Sequence, residues 1–319
     1  MSKKILITLT KKEKETIDKK LVKPLEKKGY EVIVVYENAA LSEEKIIEKI
    51  KDVDGYIVGL EKVTEKVLNS ANNLKVVCKF GVGTDNIDKK SAAEKNVRVT
   101  NCPGLNSNSV AELVLGIIFC LSRDITFLDN KMKDDLWISS MGTEVTGKKL
   151  GIIGLGNIGK CLVKIIQGLN MDVMVYDLFK DEEFAEKYNL EYVELDKIIK
   201  ESDFISLHIP INKATRDLIS ENELKAMKKN AFLINTARGG VVNEEALLKA
   251  IEDKEIAGAA LDAFINEPPV GSALVKHERV IALPHIGAAT YEATERIAQY
   301  SMQNVVNVIE GKEPLSEVK

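Results

Sequence analysis

Short apolar runs alternate with charged, amphipathic segments along the whole chain, and the alternation forms two successive arrays. In the first array, β-like runs occupy residues 4–8, 32–35, 56–58, 75–78 and 97–99. The second array begins at Leu150, and its later runs end at Asp177, His208, Thr236, Asp262 and just before Pro284. Strands separated by helices are typical of parallel open sheets. The pattern therefore predicts two α/β domains, each with a doubly wound parallel sheet.

Nearly every run of the second array ends in a polar residue. Ligands of a doubly wound sheet bind outside the carboxyl ends of its strands, so we expect these polar residues to line one cleft. Residues 109–122 read as a helix that is apolar almost all round, which the other domain or a second subunit must cover. A further amphipathic helix is predicted over 289–311.

The start of the second array has the sequence pattern of a dinucleotide site. Gly154, Gly156 and Gly159 follow an apolar run in Gly-x-Gly-x-x-Gly spacing. They allow a tight turn, close approach of a pyrophosphate and close helix packing, respectively. Asp177 ends the next apolar run at the distance expected for a ribose-binding carboxylate, and its charge favours NAD over NADP. The apolar face of the helix is expected at Ile158, Cys161, Leu162, Ile165 and Leu169.

Length and charge narrow the class of protein further. The 319 residues suffice for two domains, and the net charge of −4, with lysines interleaved among glutamates, does not indicate a nucleic-acid surface. We expect no metal site, because the four cysteines lack ligand spacing. The longest apolar run, 113–121, is too short to cross a membrane, and the N-terminus does not read as a signal peptide. A soluble, cytoplasmic protein is expected.

Hydride transfer between a hydroxy acid and nicotinamide requires a base and a cation for the carboxylate. Of the three histidines, His277 lies in a charged stretch, and His208 lies two residues before Pro210, where a packing or cofactor-wall role is expected. His285 follows the last strand and is the best candidate for the base. Arg238, in Asn-Thr-Ala-Arg-Gly-Gly, is a bidentate donor directly after a strand. Glu267 stands before two prolines and is ambiguous by itself.

In their order, these segments resemble the signature segments of the D-isomer-specific 2-hydroxyacid dehydrogenases, and the resemblance covers the whole chain. It is carried by 154–159, 235–240, 262–268 and 284–290. The resemblance implies a Rossmann NAD-binding domain, residues 102–288, inserted into a flavodoxin-like substrate domain, residues 1–101 plus 289–319. It also implies a homodimer built around the cofactor domain and a small 2-hydroxy or 2-oxo acid as substrate.

The resemblance also implies roles for individual residues. Arg238 binds the substrate carboxylate and carbonyl, His285 exchanges the proton, and Glu267 pairs with His285 and favours its protonated form. The main-chain amides of Val82 and Gly83 hold the carboxylate. Asp262 meets the nicotinamide carboxamide. The other residues implied to contact the cofactor are Asn157, Ile158, Pro210, Thr215, Thr236, Ala237 and Gly287.

Within the family, the sequence most resembles the phosphoglycerate dehydrogenase branch. The resemblance is to a short form of that branch, which lacks the C-terminal serine-sensing domain. Where members of that branch carry arginine after the third strand, this chain has Leu60-Glu-Lys-Val63. A phosphate would meet Glu61 there, with Lys62 and Lys79 as possible compensation. We therefore expect small unphosphorylated acids as the best substrates and keep 3-phosphoglycerate oxidation as the alternative.

A function of another class stays open. Corepressors of the C-terminal-binding-protein type resemble the same fold, bind NAD and act as interaction scaffolds. Such proteins normally have extended flanking tails, whereas this chain reads as compact from end to end. Turnover of NADH with any 2-oxo acid distinguishes the two functions.

Overall fold

The computed structural model describes residues 2–318 and contains two compact units. One unit comprises the chain up to Asn106 together with the chain from Ala288 onwards, and Ser107–Gly287 forms the other. The second unit thus interrupts the sequence of the first, as the resemblance implies. The sequence-based boundaries, after residues 101 and 288, differ from these by a few residues because Cys102 and Leu105, before the first helix of the second unit, bond to Gly81 and Arg296 of the first unit.

The first unit is built on a five-stranded parallel sheet in the order β2-β1-β3-β4-β5, which is the flavodoxin-like order. Its strands are β1 (Lys4–Thr10), β2 (Glu31–Glu37), β3 (Gly55–Val58), β4 (Val76–Lys79) and β5 (Arg98–Thr100). Its helices are α1 (Lys14–Ile17), α2 (Lys23–Lys27), α3 (Glu43–Ile50), α4 (Glu65–Asn69), α5 (Lys89–Glu94) and, near the C-terminus, α14 (Tyr291–Ile309). A 3₁₀ turn (Lys11–Glu13) and a π-helical segment (Asp18–Val22) adjoin α1.

Two apolar cores flank this sheet. Ile5 and Ile7 of β1 point into the core that α14 covers, and Leu6 points into the core on the opposite face. Successive residues of a strand face opposite sides of the sheet, and here both sides are covered, so all three side chains are fully buried. Burial of both faces explains why the strands of this unit are continuous apolar runs.

The second unit holds a seven-stranded parallel sheet in the order β12-β11-β10-β9-β6-β7-β8. The order reverses between β6 and β9, as in dinucleotide-binding Rossmann domains, so the expected fold class is confirmed. The strands are β6 (Lys149–Ile153), β7 (Asp172–Tyr176), β8 (Glu191–Tyr192), β9 (Phe204–Leu207), β10 (Phe232–Asn235), β11 (Gly258–Leu261) and β12 (Val280–Ala282). The helices are α6 (Ser107–Ser122), α7 (Ile125–Lys133), α8 (Asn157–Ile165), α9 (Glu182–Tyr188), α10 (Leu195–Glu201), α11 (Glu221–Ala226), α12 (Glu244–Glu252) and α13 (Ala273–Lys276), with a 3₁₀ turn at Gln167–Leu169.

One expectation for this unit was wrong in detail. The buried face of α8 is formed by Gly159, Leu162 and Val163, while Ile165 is 38% exposed. One face of the apolar helix α6 packs against α8 of its own unit, while Phe119 of α6 is 38% exposed, so cover of the remaining face by another domain or subunit stays a prediction. Within residues 2–318, no helix is long and apolar enough to span a bilayer.

Candidate active site

The turn between β6 and α8 carries the three glycines. Gly154 has a φ of +100°, and a Cβ there would lie 2.7 Å from the carbonyl oxygen of His208, so the turn accepts only glycine. Gly156 faces open space, whereas a Cβ at Gly159 would lie 2.5 Å from the carbonyl oxygen of Gly154. The loop therefore combines a tight turn, an open approach to the main chain and close packing of the helix, which are the three features that a pyrophosphate site requires.

Asp177 joins this loop to the end of β7. One carboxylate oxygen accepts the Leu155 amide at 2.6 Å, and the other accepts the Phe179 amide at 2.9 Å. A carboxylate has about four acceptor positions, so two remain for ribose hydroxyls. The helix α8 begins beside it at Asn157 and Ile158, where the first amides lack intrahelical partners and can face phosphate.

The ends of β9 and β10 carry two buried polar atoms that have no hydrogen-bond partner within residues 2–318, His208 Nδ1 and Thr236 Oγ1. The other ring nitrogen of His208 lies 2.9 Å from the Ser206 hydroxyl. Burial lowers the pKa of His208 to about 4, so the ring is neutral near pH 7. Such atoms are normally satisfied by a ligand or water, and their position at adjacent strand ends fits a bound dinucleotide.

The loop after β9 is closed by Thr215. Its hydroxyl donates to the Pro210 carbonyl at 2.7 Å and accepts the Asn212 amide at 2.8 Å. Thr215 therefore shapes the loop, and a direct contact of its hydroxyl with the cofactor stays a prediction.

The turn that carries Arg238 is organised by Asn235, a residue to which sequence reasoning assigned no role. The buried Asn235 side chain accepts the Ala237 amide at 3.0 Å and donates to the Arg238 carbonyl at 2.9 Å. Arg238 Nη1 also donates to the Ala237 carbonyl at 2.7 Å. An asparagine at a strand end that bonds to its own turn is a known turn former, and this preference is the signal that identifies Asn235.

His285 and Glu267 form a direct pair. His285 Nδ1 lies 3.0 and 2.9 Å from the two carboxylate oxygens of Glu267, and the histidine side chain is 48% exposed. Partial burial raises the pKa of Glu267, but the hydrogen bond and charge of His285, the Phe264 amide and Arg238 outweigh it. The pKa of Glu267 therefore lies below its ordinary value. The pairing leaves Nε2 of the imidazole as the nitrogen available to a substrate. His277, by contrast, is partly exposed, and its Nδ1 accepts the Arg279 amide.

Asp262 holds the main chain that follows His285. Its two oxygens accept the amides of Ile286 and Gly287, both at 2.7 Å, and the residue is 1% exposed. Burial raises the pKa of Asp262 although the two amides oppose it. His285 itself has a φ of +53°, a conformation that non-glycine residues adopt at a cost. Asp262 therefore stabilises a strained turn, and its contact with a carboxamide stays a prediction.

In the other unit, the loop after β4 presents two main-chain amides. Neither the Val82 nor the Gly83 amide donates a hydrogen bond within the part of the chain that the structure describes. Val82 is 38% exposed. Successive main-chain amides without a hydrogen-bond acceptor can bind an anion where they point in the same direction.

Glu61 does not face a ligand as the sequence suggested. It is 4% exposed, and its carboxylate accepts the Thr8 hydroxyl at 2.7 Å. The side chain of Lys79 donates to the Gly59 carbonyl. The residues that this loop exposes are Leu60, which is 55% exposed, and Lys62. The acidic residue turns inward because a buried hydroxyl of β1 is available to it, a contact that the sequence does not reveal.

Comparison with known proteins tests the resemblance directly. Residues 115–287, more than half of the chain, match the family model described as "D-isomer specific 2-hydroxyacid dehydrogenase, NAD binding domain". The chain belongs to this family. Its Ser107–Gly287 unit is the family's NAD-binding domain, so the expected family and cofactor are confirmed.

Similar curated proteins include D-3-phosphoglycerate dehydrogenases and glyoxylate reductases. A D-3-phosphoglycerate dehydrogenase of Pongo abelii is 42% identical over 281 residues, which are 87% of this chain and 53% of that protein. The chain thus spans about half the length of such relatives. A glyoxylate reductase of Thermococcus litoralis is 37% identical over 297 residues, 90% of each chain. The crystal structure of a D-lactate dehydrogenase with NAD+ from Lactobacillus jensenii superposes with a TM-score of 0.80 at 27% identity, covering 99% of both chains.

Proposed function

We propose that this protein is an NAD-dependent D-2-hydroxyacid dehydrogenase. The observation that carries the proposal is the His285–Glu267 pair, with Nδ1 bound to the carboxylate at 2.9 Å, in the same unit as the glycine loop and Arg238. Bound NADH supplies the hydride for C2 of a 2-oxo acid, and NAD+ accepts it in the reverse direction. His285 Nε2 donates the proton to the carbonyl oxygen during reduction and removes it from the hydroxyl during oxidation.

Arg238 is proposed to bind the carboxylate and carbonyl of the substrate. Its planar guanidinium suits a bidentate contact, and its turn is held by Asn235. The Val82 and Gly83 amides are proposed to bind the carboxylate as well, since they have no hydrogen-bond acceptor among residues 2–318.

The best substrates are proposed to be small unphosphorylated 2-oxo acids. The loop Gly59–Val63 lies beside the Val82 loop, since Asn86 donates to the carbonyls of Gly59 and Glu61. With Glu61 buried, this loop exposes Leu60 and Lys62 and carries no arginine. A phosphate prefers paired arginines to one lysine. Phosphoglycerate oxidation is the second candidate, because Lys62 is exposed and the half-length relatives carry that name.

The protein is also proposed to be a homodimer. Four apolar side chains are exposed between residues 136 and 141, and Trp137 and Met141 are 90% and 97% exposed. Exposed apolar surface of this kind marks interaction sites, and tryptophan is enriched among residues that dominate interface energies.

The deciding assay follows NADH oxidation with pyruvate, glyoxylate, hydroxypyruvate, longer 2-oxo acids and phosphohydroxypyruvate, compared by kcat/KM. His285→Gln should lose about 10²- to 10⁴-fold in kcat while NADH still binds. His277→Gln, a change of a partly exposed histidine in the same unit, serves as the control. Absence of turnover with every acid refutes the enzyme and leaves an NAD-binding scaffold as the function. A kcat/KM at least tenfold higher for phosphohydroxypyruvate than for hydroxypyruvate selects the second candidate.

A further inference from the structure

The Val82 and Gly83 amides are oriented by contacts on the opposite side of their peptide planes. The peptide that contains the Val82 N–H ends in the Gly81 carbonyl, which accepts the Cys102 amide at 2.7 Å. The peptide that contains the Gly83 N–H ends in the Val82 carbonyl, which accepts Asn101 Nδ2 at 2.8 Å. A trans peptide is planar, with N–H and C=O on opposite sides, so a bond to the carbonyl fixes the direction of the amide.

Asn101 is itself held from the C-terminal end of the chain. Its carbonyl oxygen accepts the Ser316 hydroxyl at 2.6 Å and Asn304 Nδ2 at 3.1 Å. Asn304, fully buried in α14, uses its side-chain oxygen to accept the Leu315 amide at 2.8 Å and the Ser316 amide at 3.3 Å. The segment after α14 is thereby tied to the residue that follows β5.

We propose that Asn101 is a positioning residue for substrate recognition, and that Ser316 and Asn304 hold it in place. Its side-chain amide bonds to the Val82 carbonyl behind the Gly83 amide, whereas the Gly81 carbonyl behind the Val82 amide is held by the main chain of Cys102. Loss of that bond frees the second peptide plane to rotate, which weakens the anion site without touching the cofactor loop or His285. The inference rests on the proposed function, in which those amides bind the substrate carboxylate.

The test combines Asn101→Ala with oxalate, a non-reducible anion that resembles a 2-oxo acid. Since one hydrogen bond contributes a modest free energy, we expect KM for the best 2-oxo acid and the oxalate Kd of the NADH-bound protein to rise about two- to tenfold. We expect kcat, the Kd for NADH and Tm to stay near wild type. Asn101→Asp, which cannot donate and adds negative charge, should raise both constants further. Ser316→Ala should act in the same direction but more weakly, and Asn72→Ala, at an exposed asparagine of the same unit, should have no effect.

The outcomes separate this inference from the proposed function. An unchanged oxalate Kd and KM in Asn101→Ala, with normal turnover by wild type, overturns the role of Asn101 and leaves the dehydrogenase standing. Weaker oxalate binding in Asn101→Ala, with no turnover of any 2-oxo acid by wild type, supports the anion site and refutes the dehydrogenase. A wild type that binds no oxalate overturns the anion site itself.

Discussion

At the scale of single residues, the chemistry depends on one imidazole whose Nδ1 is bound to a carboxylate. The pKa of Glu267 lies below its ordinary value, so Glu267 stays ionised at every pH where the enzyme is assayed. We predict that Glu267→Gln moves the pH optimum of 2-oxo acid reduction downwards, because the amide lacks the negative charge that pairs with an imidazolium proton donor. The profile of kcat/KM between pH 5 and 9 measures this shift.

Glu244→Gln is the matched control for this change. The Glu244 carboxylate accepts the Ile265 amide at 2.7 Å and therefore belongs to the same loop region, but it has no hydrogen bond to His285. Its pH profile should match that of wild type. Identical profiles for all three proteins would remove Glu267 from the mechanism.

His208 makes a separate prediction about stability. Because burial lowers its pKa to about 4, the unfolded chain takes up a proton between roughly pH 6.5 and 4 that the folded protein does not. The free energy of unfolding therefore falls as the pH falls through this window, by roughly 3 kcal/mol at most from this residue. We predict that the difference in unfolding free energy between pH 7 and pH 5, from urea titration, is smaller in His208→Gln than in wild type. An equal difference in both proteins contradicts the neutral, buried state of the ring.

At the scale of elements, the glycine turn is linked to the end of β7, because Asp177 accepts the Leu155 amide. We predict that wild type prefers NADH to NADPH, since a 2′-phosphate would meet the Asp177 carboxylate. Asp177→Asn, which removes the charge but keeps an acceptor, should lower the ratio of kcat/KM with NADH to kcat/KM with NADPH about tenfold. Asp177→Ala should also lower this ratio, and it should weaken NADH binding because the Leu155 amide loses its acceptor. Equal use of both cofactors by wild type refutes this role.

At the scale of the whole molecule, the exposed apolar residues near Trp137 predict self-association. Wild type should have the mass of a dimer by light scattering at micromolar concentration, and Trp137→Ser combined with Met141→Ser should shift it to the monomer. Phe179→Ser, at an aromatic residue that is 87% exposed in the same unit, is the control and should leave the mass unchanged. A monomeric wild type, or a dimer that survives the double change, contradicts this interface. A cytoplasmic location stays a prediction.

The sequence by itself determined the two α/β arrays, the glycine turn and the strand ends that carry His285 and Arg238. These features follow from local rules, because apolar periodicity and turn chemistry act over a few neighbouring residues. The two-residue strand β8 was missed because an edge strand of that length leaves no periodic signal.

Only the tertiary structure decided where polar side chains point and which distant groups they meet. It turned Glu61 inward to Thr8, placed Asp262 on the amides after His285, and linked Asn101 to both Val82 and Ser316. In each case the partner lies more than fifteen residues away, and a side chain takes the direction in which a buried donor or acceptor is available. Sequence patterns therefore identify the residues of such a site more readily than the contacts those residues make.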